Sequence, residues 1–91
     1  MARKRGYATN LEQWKRELSA ELQRDVTSEE IARETGLAYS TVIKHGGHVF
    51  SRPETDTAAR IVDFFNERSE KKRTTLDYFV EVDLGQLLAV G

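Results

Sequence analysis

The sequence has no cysteine, which excludes disulfides and thiolate metal ligands, so stability has to come from packing or from a second subunit. Long apolar runs are missing too. No stretch approaches the ~18 residues of a membrane span, and the basic opening Ala2-Arg3-Lys4-Arg5-Gly6 is not followed by the apolar segment of a secretion signal. A cytoplasmic protein with no membrane partner is expected. At 91 residues the chain has room for one domain, with little material to wall a concave active site. No nucleophile–base pair, phosphate-binding loop or metal constellation stands out, so neither enzymatic activity nor a cofactor is expected. Charge of one sign is also scarce. The formal net charge is -1, whereas a nucleic-acid binder is most simply basic. Its distribution is uneven: residues 1–53 carry nine Lys or Arg against seven acids, and residues 54–91 carry five against eight. Any attraction to phosphate is therefore weak and belongs to the N-terminal half.

What is present centres on residues 26–44. Thr27 is placed to cap a helix through the backbone N–H of Glu30, with the Glu30 carboxylate returning to the N–H of Thr27. Ile31 and Ala32 supply a buried stripe, and Gly36 suits the left-handed residue that ends a helix. These features predict a helix over residues 28–35. After Leu37 a second helix is predicted over residues 38–45, with Val42 and Ile43 inward and Tyr39, Ser40, Thr41 and Lys44 outward. Two short helices joined by a tight turn are the sequence form of a helix-turn-helix.

In Thr27, Ile31-Ala32, Thr35-Gly36-Leu37 and Ser40-Thr41-Val42 the stretch resembles the phage-repressor and Cro-like family of bacterial helix-turn-helix regulators, the XRE type. The likeness extends weakly to about residue 66. It implies a mainly α fold, a four-helix lambda-repressor-like helix-turn-helix domain, here followed by a short C-terminal β strand or hairpin. It also implies double-stranded DNA as partner. Thr27 and Ser28 would meet the DNA backbone, and Tyr39, Ser40, Thr41 and Lys44 would occupy the readout positions in the major groove. Three departures from the family pattern occur. Ser28 stands where Gln is common, Ala38 where a capping Ser or Thr is usual, and His45-Gly46-Gly47 where an acid-arginine-glycine turn is common.

Around this centre the chain divides into a flexible basic arm (residues 1–9), a DNA-binding domain (10–67), a linker (68–73) and a β segment (74–91). Arg3, Lys4 and Arg5 are candidates to lie in the minor groove. Asn10, with Gln13 three residues on, reads as the cap of a first helix over residues 11–23, whose Leu11, Trp14, Leu18 and Leu22 share one face. Val49 and Phe50 should plug a loop into the core. The single proline, Pro53, precedes a helix over residues 55–67 with Thr55 as cap, Ala58, Ile61, Val62 and Phe65 inward, and Phe64 at its shoulder near a dimer face. The linker has no apolar residue and reads as solvated.

From Leu76 the period becomes two: Leu76, Tyr78, Val80, Val82 and Leu84 alternate with Asp77, Phe79, Glu81 and Asp83, which predicts a strand. Gly85-Gln86 is placed to turn the chain toward a second strand over residues 87–90. A lone hairpin is marginal, so Leu76, Tyr78, Val80 and Val82 are expected to mediate a homodimer in preference to folding back on their own domain. His45 and His48 are close enough to suggest a metal site, but no third or fourth ligand lies at matching spacing. They read instead as polar loop residues touching the DNA backbone.

The expected function is a sequence-specific DNA-binding transcription regulator that represses from a palindromic operator as a homodimer. The alternative is an antitoxin-like or adaptor protein whose C-terminal strand binds a partner protein, DNA binding being autoregulatory.

Overall fold

Trp14 lies edge-on to Phe65 at 5.6 Å and tilted against Tyr78 at 5.3 Å, which joins the first helix, the fourth helix and the tail in one core. The computed structural model describes residues 5–83. Arg3, Lys4, Leu84, the Gly85-Gln86 turn and the strand expected over residues 87–90 lie outside the described residues. In chain order the elements are β1 (Arg5–Thr9), α1 (Leu11–Leu22), α2 (Ser28–Thr35), α3 (Tyr39–Gly47), α4 (Thr55–Arg68), α5 (Thr75–Tyr78) and β2 (Phe79–Asp83). The chain is mainly helical with a two-stranded antiparallel sheet, and α5 is a fifth helix beyond the four expected. Among the described residues no helix is long and apolar enough to cross a membrane.

Helical periodicity accounts for the core. Leu11, Trp14 and Leu18 of α1, Ile31 and Ala32 of α2, Val42 of α3, and Ala58, Ile61, Val62, Phe64 and Phe65 of α4 are all buried. α2 has the predicted bounds: the Thr27 hydroxyl accepts from the Glu30 N–H at 3.1 Å, and Gly36 ends the helix at φ +75°. The reciprocal half of that cap does not form. Arg24 takes the Glu30 carboxylate in two hydrogen bonds of 2.7 and 2.9 Å, a stronger, charge-assisted claim that holds Glu30 below the usual carboxylate range.

Two other predicted side-chain caps do not form. Asn10 precedes α1 but makes no side-chain cap; its amide donates to the Asp77 carbonyl at 2.7 Å, and the Thr9 hydroxyl accepts from the Leu11 N–H instead. At the start of α4 the cap position is Glu54 rather than Thr55, again without a side-chain cap. α3 runs past its expected end at His45 through Gly46 and Gly47. Gly46 is where α3 passes α1, since a Cβ there would fall 2.5 Å from Glu12 Oε1.

Residues 5–9 are not a flexible arm. They form β1, which pairs antiparallel with β2 in the register Arg5↔Asp83, Gly6↔Val82, Tyr7↔Glu81, Ala8↔Val80 and Thr9↔Phe79. On its other side Tyr7 exchanges backbone hydrogen bonds of 2.7 and 2.8 Å with Phe50. The tail strand thus has a partner within its own chain. The reason is the ordinary one: an isolated strand leaves its ladder groups unsatisfied, and the N-terminus supplies the nearest complement.

The strand is also shorter than its alternation suggests. Thr74 caps a single helical turn, its hydroxyl accepting from the Asp77 N–H at 3.2 Å, and β2 begins only at Phe79. This turn breaks the two-residue phase. Tyr78 is fully buried, Phe79 packs on the core, and Val80 points outward.

Nor are residues 68–73 a solvated linker. Arg73 is buried with its guanidinium 5.3 Å over Trp14, and it donates to Glu17 Oε1 at 2.8 Å. The Asn66 side chain brackets the Arg73 backbone with two bonds of 2.8 Å. Glu21 accepts from the Ser69 hydroxyl at 2.6 Å and from the Glu70 N–H at 2.7 Å. The segment becomes a strap because Lys71 and Arg73 pair with Glu17 of α1, while Glu21 of α1 holds Ser69 and the Glu70 backbone.

Candidate nucleic-acid interface

α3 is the element whose outward face could meet a ligand. Its buried side is set by Val42 and His45, one helical turn apart. At about 100° per residue the direction opposite that pair falls between Ile43 and Ser40, with Tyr39 on one flank and Lys44 on the other. Tyr39 is 50% exposed and Ile43 48%; Ser40 and Lys44 are exposed and Thr41 is half-buried. The structure brings Tyr39, Ser40 and Lys44 to one face, as the pattern predicts. Ile43 corrects it: expected inward, it stands near the crest. Lys44 Nζ lies 5.5 Å over the Phe50 ring, which holds its stem against the protein.

Helix α3 begins at Tyr39. Ala38 is extended (φ −65°, ψ 144°), and its carbonyl accepts from the N–H groups of Thr41 and Val42 at 3.0 and 3.2 Å. The missing capping side chain does not delay the helix, because the Ala38 carbonyl closes the first turn, and Tyr39 stays on the outer face.

An open groove of about 580 Å³ runs from Tyr39 past Thr27, Ser28 and Glu29 of the α2 start to Lys15 and Arg16 of α1. Thr27 is exposed, with its hydroxyl used as the cap. Ser28 is buried, and its hydroxyl accepts from Lys15 Nζ at 2.9 Å, so it is withdrawn from direct contact. Lys15 also reaches Glu12 at 3.3 Å. Cations at this groove escape the sequence reading because α1 meets the α2 start only in three dimensions. The α1 stripe does show that Lys15 and Arg16 lie off the core face, and nothing local shows what they adjoin.

Two further expected contacts are overturned. His45 is not a loop residue at the surface; it is fully buried on the inward side of α3. Its Nδ1 meets the Tyr78 hydroxyl at 2.9 Å, its Nε2 meets Glu54 Oε2 at 3.2 Å, and its carbonyl accepts from the Thr9 hydroxyl. The cause is the longer helix, which keeps His45 on the stripe begun by Val42. Arg5 lies on β1 and donates to Glu81 at 2.6 Å, a contact that raises its pKa and occupies the guanidinium. His48 alone of the two histidines is exposed, edge-on to Phe50 at 5.1 Å. Among the described residues no group of three or more His, Cys, Asp or Glu side chains could hold a metal ion.

The expected dimer surface also divides. Phe64 is 3% exposed, roofed by Arg68 at 4.0 Å, and Tyr78 is fully buried; both are core residues. Burial pushes the Tyr78 phenol well above its ordinary pKa, against a smaller opposing contact from Thr9. Leu76 (89% exposed) and Val80 (43%) stay at the surface, with Val82 half-buried. Comparison of the chain with protein-family models, curated proteins and solved structures gave no significant match.

Proposed function

We propose that the chain is a sequence-specific, DNA-binding transcription regulator in which α2, the Gly36 turn and α3 act as a helix-turn-helix. The carrying observation is the outward face of α3. Tyr39, Ser40 and Lys44 project from a nine-residue helix whose opposite side is anchored by Val42 and His45, so a rigid edge is offered at groove width. The neighbouring groove is of mixed charge, lined by Lys15 and Arg16 together with Glu12, Asp25 and Glu29, so support for a phosphate contact there rests on the free N–H groups of the α2 start.

Exposed Leu76 on α5 and Val80 on β2 support self-association, which would present two copies of α3 to a palindrome and occlude a promoter. The same surface favours a second reading, an adaptor that adds a strand to a partner protein. In-vitro selection from random duplex DNA is the test. Enrichment of an inverted repeat with half-sites one helical turn, about 34 Å, apart is the expected result. A purified protein that enriches no duplex, yet retains a second protein through Leu76 and Val80, would replace this reading with the adaptor.

A further inference from the structure

Ile43 stands near the crest of α3, beside Ser40 and one turn from Tyr39 on the flank, where a groove-entering helix would meet base edges. We infer that Ile43 and Tyr39 together read thymine 5-methyl groups, so that each half-site carries thymine opposite this pair. This rests on the DNA-binding reading above and deepens it.

The chemistry of the groove decides the ligand. Every base edge in the major groove presents hydrogen-bond donors or acceptors, and only thymine adds an apolar group. The Ile43 side chain has neither donor nor acceptor, so placing it against guanine, adenine or cytosine would desolvate polar atoms with nothing in return. Against a thymine methyl it buries apolar surface on both sides. Side chains at i and i+4 have Cβ atoms about 5–6 Å apart, a span of one to two base steps at ~3.4 Å each. Tyr39 and Ile43 can therefore meet methyls on neighbouring or next-neighbouring base pairs. The surroundings argue against a protein occupant. Two apolar side chains bounded by Ser40, Thr41 and Lys44 fall far short of the roughly 800 Å² that a stable protein interface covers on each partner. Lys44 on the same face suits an anionic neighbour.

The experiment replaces thymine by uracil, one position at a time, in the duplex the protein selects. Uracil keeps the hydrogen-bonding edge and lacks only the methyl. One or two positions per half-site should weaken the unaltered protein roughly three- to fivefold each, the effect of about one buried methyl group. An Ile43→Ala protein should bind the thymine duplex more weakly and be indifferent to uracil at the Ile43 position, and Ile43→Val should retain the sensitivity. The side chain is exposed, so thermal unfolding of both variants should match the parent. A flat uracil series on a duplex that is selected overturns the methyl reading and leaves DNA binding standing. Failure to select any duplex overturns both.

Discussion

His45 and Tyr78 stack with ring centroids 5.9 Å apart and an interplanar angle of 28°, and share a 2.9 Å hydrogen bond through Nδ1. Glu54 occupies the other ring nitrogen at 3.2 Å. A carboxylate only accepts, so Nε2 carries a proton; in the neutral imidazole Nδ1 is then the acceptor and the phenol donates. The C-terminal half of α3 is thereby fastened at once to the start of α4 and to the α5–β2 junction.

Tyr78→Phe keeps the ring and removes the donor. A buried Nδ1 left unsatisfied should lower stability by about 1–3 kcal/mol. The urea midpoint should fall with the slope unchanged. An unaltered midpoint would show that the imidazole is held by its rings alone.

Acid should loosen the strap. Hydrogen bonds from Arg73 and then Gln13 lower the Glu17 pKa, those from the Glu70 N–H and Ser69 lower that of Glu21, and Arg24 lowers that of Glu30. A depressed folded-state pKa contributes stability that is present above the unfolded value of about 4.3 and is lost as pH falls through the folded value. Tyr78 acts with the opposite sign. Its folded pKa is raised, so its contribution is present below about pH 10 and lost as pH rises further. Denaturation across the pH range should therefore show both limbs, and Glu17→Gln should make the acid limb shallower. An acid limb identical in that variant would remove the Glu17–Arg73 contact from the account.

Val80→Lys on β2 and Leu76→Asp on α5 probe the surviving exposed apolar surface. Both positions are exposed, so monomer stability should change by less than about 0.5 kcal/mol while sedimentation shows weaker self-association. Phe64→Ala provides the contrast. As a core residue it should destabilise by about 3–5 kcal/mol. Loss of self-association in Phe64→Ala with full stability would return that residue to a dimer face.

Lys44→Ala should weaken binding to selected and unselected duplexes alike. On the DNA-binding reading its ammonium, 5.5 Å over the Phe50 ring at one flank of the outer face, serves as a phosphate contact. Removing one phosphate contact should reduce the slope of log affinity against log salt by about 0.9. Loss confined to a single base pair would place Lys44 among the base contacts instead.

The local rules were legible in the sequence. The Thr27 cap, the Gly36 end, the bounds of α2 and the inward stripes of α1 and α4 depend on residues three or four positions apart, and such spacing is written in the chain itself. One local signal was present but outweighed. Thr74 with Asp77 marks a cap, yet the alternation from Leu76 to Asp83 pointed to a longer strand, and the cap prevailed because it lets Tyr78 and Phe79 both reach the core.

Tertiary structure alone decided the rest. Arg5 meets Glu81 across a separation of 76 residues and Arg73 meets Glu17 across 56, and no local pattern announces either pair. On α3 the sequence determined that an amphipathic helix would form, but not how it would roll. With His45 buried between Tyr78 and Glu54, Ile43 stands outward; a buried imidazole needs partners for both nitrogens, and this orientation supplies them.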